Sequence, residues 1–130
     1  MRKYTFDYNY FKVINSKNKA YWLGWIVSDG SVNKYNLRLR LQELDIEILQ
    51  KFKRDVLFTG PITIESNYNK KHQNLCNITL SSVKLIKDLF QLGVISNKVH
   101  NTIFPEIPVE FYSHFIRGVF DGDGCIHVNK

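Results

Sequence analysis

The residue pattern predicts an α+β fold: a four-stranded, mainly antiparallel sheet with helices packed on one face. Three observations predict it. Leu37-Arg38-Leu39-Arg40-Leu41-Gln42 alternates strictly between apolar and polar, the signature of a strand with one buried face. Segments of helical period alternate along the chain with pairs of strand-like runs. Finally, 130 residues with 44% hydrophobic and 14% aromatic side chains suffice for one sizeable core.

Composition also excludes function classes. No apolar run approaches the roughly 18–20 residues needed to span a bilayer, and Met1-Arg2-Lys3-Tyr4 leads into polar residues and not the apolar stretch of a signal peptide. Cys76 and Cys125 fit neither metal-ligand spacing nor a disulfide framework, so reduced thiols are expected. The expected setting is intracellular (cytoplasm, organelle or phage-infected cell), with no membrane partner and no secretion. A net charge of +6 points to a polyanionic partner.

Residues 1–18 are read as an N-terminal arm, ordered or forming a short leading helix. Residues 20–28 are apolar nearly all round, a buried helix that stops at Asp29-Gly30 in the usual glycine-terminated way. A hairpin follows, with Ser31-Val32 joined through Asn33–Asn36 to the alternating leucine run. Asp45 is positioned to cap a helix from Ile46 to Phe58, closed by Gly60-Pro61. In the second hairpin, Ile62–Glu65 and Leu75–Leu80 flank a polar, basic loop from Asn67 to Asn74. Ile62, Ile64, Cys76, Ile78 and Leu80 are expected inside, with Thr63, Glu65, Asn77 and Thr79 outside.

Ser81 or Ser82 then caps a helix carrying Leu85, Ile86, Leu89 and Phe90, closed by Gly93. Residues 94–110 read as a connection, and a last helix from about Phe111 to Phe120 is expected to end at Asp121-Gly122-Asp123-Gly124. The segment from Cys125 to Val128 reads as the entry to a strand. Trp22, Trp25, Phe120 and Tyr112 are read as core. Residues 19–110 thus form one α/β unit with its connection, and 111–130 a further helix and the start of an incomplete second unit.

An internal repeat carries the functional signal. Gly24-Trp25-Ile26-Val27-Ser28-Asp29-Gly30-Ser31-Val32 aligns without gaps on Gly118-Val119-Phe120-Asp121-Gly122-Asp123-Gly124-Cys125-Ile126, an offset of 94 residues from Gly24 to Gly118. Small residues permit close approach of two helix backbones, so Gly24 and Gly118 are expected where these helices pack. That packing would set Asp29 beside Asp123 at paired helix C-termini, where like charges and helix dipoles both disfavour them. A divalent cation makes sense of such a pair. One Asp-Gly alone would be a helix stop entering a turn; two gapless copies on apolar helices ask for more.

These residues resemble the LAGLIDADG (DOD-type) homing endonucleases. Trp22–Gly30 is similar to the first motif and Ile116–Gly124 to the second. The element order is similar to the family's α-β-β-α-β-β-α unit, plus the first helix of a second unit. The resemblance covers residue 19 to the end. It implies a hydrolase that cleaves phosphodiester bonds of double-stranded DNA with Mg²⁺ (or another divalent cation such as Mn²⁺), in the service of intron mobility. It implies Asp29 and Asp123 as catalytic metal ligands, aided by the backbone carbonyls of Ser28 and Gly122. Lys98 falls where the family keeps a basic residue near the scissile phosphate; its plainer reading is a solvated loop lysine.

The chain departs from the family pattern at Val27, which stands where the second copy has Asp121. Asp121 is therefore read as a local capping residue. On the sheet's outer face, Arg38 and Arg40 suit guanine edges or phosphates, Gln42 and Asn77 suit adenine, Glu65 suits cytosine, and Thr63 and Thr79 suit several bases. A solvated strand face is the plain alternative. The loop Asn69-Lys70-Lys71-His72 reads equally as a phosphate-tracking or a solubilising tip. The competing functions are an RNA maturase that clamps intron RNA, a non-catalytic DNA-binding module of the same fold, or an inactive fragment. Only six residues, 125–130, follow the second motif, so the second half of the enzyme or a self-association partner is expected to complete the site.

Overall fold

Among the described residues, the leucine alternation, the turn residues and the helix caps resolve into four helices and one sheet. A computed structural model describes residues 3–66, 74–94 and 105–127, the last four of these by their backbone alone. The order is α1 (Lys17–Asp29), β1 (Ser31–Val32), β2 (Asn36–Gln42), α2 (Ile46–Asp55), β3 (Thr63–Glu65), β4 (Leu75–Ser81), α3 (Val83–Gln91) and α4 (Tyr112–His127). Single 3₁₀ turns at Glu43–Asp45 and Val109–Phe111 lead into α2 and α4. The strands lie in the order β1-β2-β4-β3, every neighbouring pair antiparallel. No described helix is long and apolar enough to cross a membrane.

Period-2 alternation does what it predicts on the two central strands. Leu37, Leu39 and Leu41 on β2 and Cys76, Ile78 and Leu80 on β4 are buried against the helices. Their partners across the ladder, such as Leu39 with Ile78, share that face. Helices α1, α2 and α3 add Trp22, Leu23, Trp25, Ile26, Leu49, Phe52, Leu85 and Leu89 to the same core. Each such side chain, fully buried, contributes roughly 1.5–3 kcal/mol of transfer free energy. The arm belongs to this core too: Phe6, Tyr10, Phe11 and Ile14 are buried. It is tied down where Asp7 N donates to Val56 O at 2.7 Å and Thr59 N to Thr5 O at 2.9 Å.

The helix ends show which local signals carry through. Ser16 Oγ accepts from Lys19 N at the start of α1, and Ser82 Oγ accepts from Leu85 N at the start of α3, both at 3.2 Å. Asp45, by contrast, occupies the cap position of α2 without a side-chain capping bond. The preceding 3₁₀ turn already leads the backbone into the helix. Helix α2 also ends earlier than Gly60-Pro61 implies. Phe58 N bonds to Lys53 O and Leu57 N to Arg54 O, closing a Schellman turn with Leu57 in the left-handed region at φ 59°. α3 closes the same way with Gly93 at φ 97°, where a side chain would be strained. Gly30, at φ −75°, ends α1 differently: the chain folds tightly over Ile26, whose carbonyl accepts from Gly30 N at 2.9 Å.

Three expectations are corrected at the sheet edge and on α4. Ile64 sits on the edge strand β3, with a neighbouring strand on one side only, and is 41% exposed. Helix α4 does not stop near Phe120. It continues through Gly122 and Gly124 to His127, in place of a strand from Cys125. Phe120 (71%) and Tyr112 (37%) are exposed and not core, whereas Trp22 and Trp25 are buried.

Candidate functional site

The seam between α1 and α4 is built from glycine. A Cβ on Gly24 would overlap the carbonyl oxygen of Phe115 and lie 2.9 Å from Gly118 Cα. A Cβ on Gly118 would overlap the carbonyl oxygen of Tyr21 and lie 3.1 Å from Gly24 Cα. Phe115 is the counterpart of Tyr21 at the same 94-residue offset. The contact is therefore reciprocal, as across a two-fold axis, although both helices belong to one chain. Four residues further on, a Cβ on Gly122 would overlap Ser28 Oγ. Gly122 thus serves close approach and not helix termination, which is why the helix passes through it.

In the same register, the next residues are Asp29 and Asp123. Asp29 is the last residue of α1 and half-buried, while Asp123 is exposed and lies within α4. The acidic pair is thus not set at two helix C-termini, because only α1 ends there. Ser28 lies in the last turn of α1, where carbonyls lack an intrahelical partner, and its Oγ donates to Trp25 O at 3.2 Å. The carbonyl of Gly122 lies within α4, where helical geometry directs it toward the amide four residues on. Among the described residues, no three His, Cys, Asp or Glu side chains converge to hold a metal. A divalent cation held here would have two carboxylates and the Ser28 carbonyl as donors, hard oxygens of the kind Mg²⁺ takes while keeping several waters. Lys98 and the loop 69–72 lie outside the described residues.

Asp121 does not cap a helix. It accepts from the Tyr21 hydroxyl at 2.6 Å, and the Arg117 guanidinium stands 4.2 Å from the centre of the Tyr21 ring. Burial first, and then the Asp121 hydrogen bond, push the Tyr21 hydroxyl up to about 12, with Trp25 and Arg117 acting the other way. This latch across α1 and α4 was missed by reading each motif separately. Comparing the two copies would have found it. Tyr21 and Asp121 differ from their counterparts Phe115 and Val27 by one hydroxyl and one carboxylate, so the two polar changes fall together on one side of the seam.

The sheet's outer face gathers the remaining expected residues. Arg38 stands opposite Thr79, and Arg40 opposite Asn77, which on its other side faces Thr63. Gln42 and Glu65 both flank Leu75. Arg40 grips Glu65 with two bonds, Nε at 3.1 Å and a terminal nitrogen at 2.7 Å, while Asn77 Nδ2 donates to the same carboxylate at 2.7 Å. The hydrogen bonding of Arg40 first, opposed next by burial and then reinforced by Asn77 and the nearby charges of Arg40 and Arg38, holds the Glu65 carboxyl below its ordinary range. Arg40, Glu65 and Asn77, which the sequence places as three separate base contacts, form one network. Among the described residues, no carboxylate lies within ion-pair distance of Arg38.

Comparison with known proteins adds no identification: no protein-family model matches the chain, and no curated protein matches it.

Proposed function

We propose that this chain carries the catalytic seam and one DNA-reading sheet of a LAGLIDADG-type endonuclease, a site-specific hydrolase of double-stranded DNA. The observation that carries this reading is the reciprocal glycine contact between two helices bearing the same motif. Two equivalent helices packed so closely bring equivalent acidic residues toward one axis, as a symmetric substrate with two scissile phosphates requires. Asp29, Asp123 and the Ser28 carbonyl would hold the cation; the Gly122 carbonyl, directed along α4, would not. A divalent cation bound there, Mg²⁺ or Mn²⁺, supplies Lewis acidity and a water of lowered pKa. Lys98 adds positive charge beside the phosphate.

The sheet lies in the major groove, which admits a two-stranded ribbon. Arg38 makes the first phosphate or guanine contact, since Arg40 is already held by Glu65. Arg40 keeps further N–H donors for DNA after gripping the carboxylate. Thr63, Thr79, Gln42 and Asn77 read base edges alongside. The exposed stripe of Tyr112, Ile116 and Phe120 on α4, continued by Val109 in the 3₁₀ turn before it, supports the need for a second half or a second copy to cover it.

Two measurements test this. Asp29→Asn or Asp123→Asn is expected to abolish Mg²⁺-dependent nicking of a DNA library while leaving DNA affinity largely in place; undiminished cleavage by both variants overturns the assignment. Arg38→Ala with Arg40→Ala is expected to weaken binding and lower the salt slope by about 1 per lost phosphate contact. An unchanged slope argues against a DNA-facing sheet. One observation favours the second reading, a non-catalytic DNA-binding module or an RNA maturase: α4 runs on through Asp123, so the acidic pair lacks two helix ends. Retained binding to DNA or intron RNA without nicking by the unaltered chain selects that reading.

A further inference from the structure

On the helical side of the molecule, away from the polar sheet face, α1, α2 and α4 line an open cleft of about 340 Å³. Tyr21 and Trp22 line it from α1, Lys51, Arg54 and Asp55 from α2, and Arg117 from α4. Three cations and one carboxylate thus line it, and that carboxylate is already engaged. Asp55 Oδ2 accepts from Trp22 Nε1 at 2.8 Å, and Asp55 Oδ1 lies 3.7 Å from Arg54 Nε. Arg117 rests on the Tyr21 ring at 4.2 Å. Among the described residues, no carboxylate lies within ion-pair distance of Lys51 or Arg117.

Folding alone does not favour this arrangement. Lys51 and Arg54 stand three apart on one helix, where like charges repel, and Arg117 converges on them from another element. An anion relieves that repulsion. Two planar guanidinium forks and an ammonium approaching from separate helices suit a group offering several oxygens, and arginine matches phosphate geometry with paired donors. The wall formed by Trp22, Ile48 and the Tyr21 ring is apolar, and the volume falls within the range of ligand clefts, leaving room beside a phosphate for the body that carries it.

We infer that this cleft is a phosphate-binding site, separate from the sheet face and from the acidic seam. It does not rest on the endonuclease reading. Its phosphate comes either from a free phosphorylated small molecule or from a nucleic-acid backbone, and the chemistry of recognition is the same.

The test titrates the full chain at low ionic strength with inorganic phosphate, a nucleoside monophosphate and a short single-stranded oligonucleotide. Binding is read by calorimetry and by tryptophan fluorescence, since Trp22 forms part of the wall. Saturable phosphate binding is expected. Lys51→Gln with Arg54→Gln should weaken it about tenfold, the worth of one charge-assisted contact, whereas Arg38→Ala with Arg40→Ala should leave it unchanged. Both replaced pairs are at the surface, and an unchanged melting temperature establishes that each variant folds. An oligonucleotide that binds more tightly than the monophosphate, and loses that advantage in the cleft variant, identifies a backbone as the source. Affinity highest for the monophosphate identifies a small molecule. Absence of saturable binding, or equal loss in the sheet-face variant, overturns the inference.

Discussion

Helices α1 and α4 carry the same motif, cross through equivalent glycines and yet live in different surroundings. Trp22 and Ile26 on α1 are 3% and 0% exposed, while their counterparts on α4, Ile116 and Phe120, are 42% and 71% exposed. The inner faces match because they are each other's environment. The outer faces differ because α1 has a sheet and α2 packed against it, and the outer stripe of α4 does not. The two helices also end differently. α1 stops at Asp29, where the chain turns into β1 and pairs with β2. α4 continues to His127. A repeat thus specifies the contact its own copies make, while each helix's far side and exit depend on what else is folded around it.

The largest expected effect strikes at that difference. Trp22→Ala should destabilise the fold by about 3–5 kcal/mol, as for a buried aromatic, and it also leaves Asp55 without its indole donor. Ile116→Ala at the equivalent position should cost less than about 1 kcal/mol, in line with partly exposed sites. Urea denaturation of the two variants measures the contrast directly, and equal losses would break the comparison.

Next in size is the shared contact itself. Gly118→Ala places a methyl group against the backbone carbonyl of Tyr21, which cannot move alone, so a loss of about 1–3 kcal/mol is expected. At Gly122 the obstacle is the Ser28 hydroxyl, a side-chain atom that can rotate away by giving up its hydrogen bond to Trp25 O. There the higher helix propensity of alanine offsets the crowding by about 1 kcal/mol. Melting temperatures should therefore fall clearly for Gly118→Ala and little for Gly122→Ala.

The smallest effect concerns the polar latch, present on one side of the seam only. Tyr21→Phe copies the residue found at position 115 and removes a hydrogen bond worth about 1 kcal/mol. The pH dependence has a definite sign. The folded hydroxyl titrates near 12, above the ordinary tyrosine value of 10.0. The folded state therefore binds more protons than the unfolded state between those values. The latch contribution is complete below pH 10 and is lost as pH rises through 12. Melting curves at pH 9 and pH 11 should show a larger drop for the unaltered protein than for Tyr21→Phe; identical drops would remove Tyr21 from the account.

Much of the fold was legible in the residues because its signals are local or periodic. The Leu37–Gln42 alternation, a serine cap on α3 and Gly93 depend only on near neighbours and on one buried side; the alternation and Gly93 stand where their patterns point, and of the two candidate serines Ser82 is the cap while Ser81 ends β4. Signals with two physical meanings failed. Glycine marks a helix end when it supplies a left-handed φ and marks a crossing when it supplies space. Gly93 is the first kind; Gly122, read as a stop, is the second. Apolar side chains such as Phe120 and Ile64 declare a preference for burial, but an edge strand or an uncovered helix leaves that preference unmet.

At the candidate site the same division holds. The gapless repeat determined that Gly24 would meet Gly118, because only glycine permits backbones to approach so closely and both copies carry it in register. Charge alternation determined that Arg38, Arg40, Gln42, Asn77 and Glu65 share one face. Only the tertiary structure decided that Arg40, Glu65 and Asn77 close on one another, since cross-strand neighbours depend on a register set by chain segments far apart. It alone paired Tyr21 with Asp121 across 100 positions, and it alone gathered Lys51, Arg54 and Arg117 around one cleft. Spacing along the chain determines which residues share an element's face; which faces meet depends on packing, and packing is a property of the whole chain.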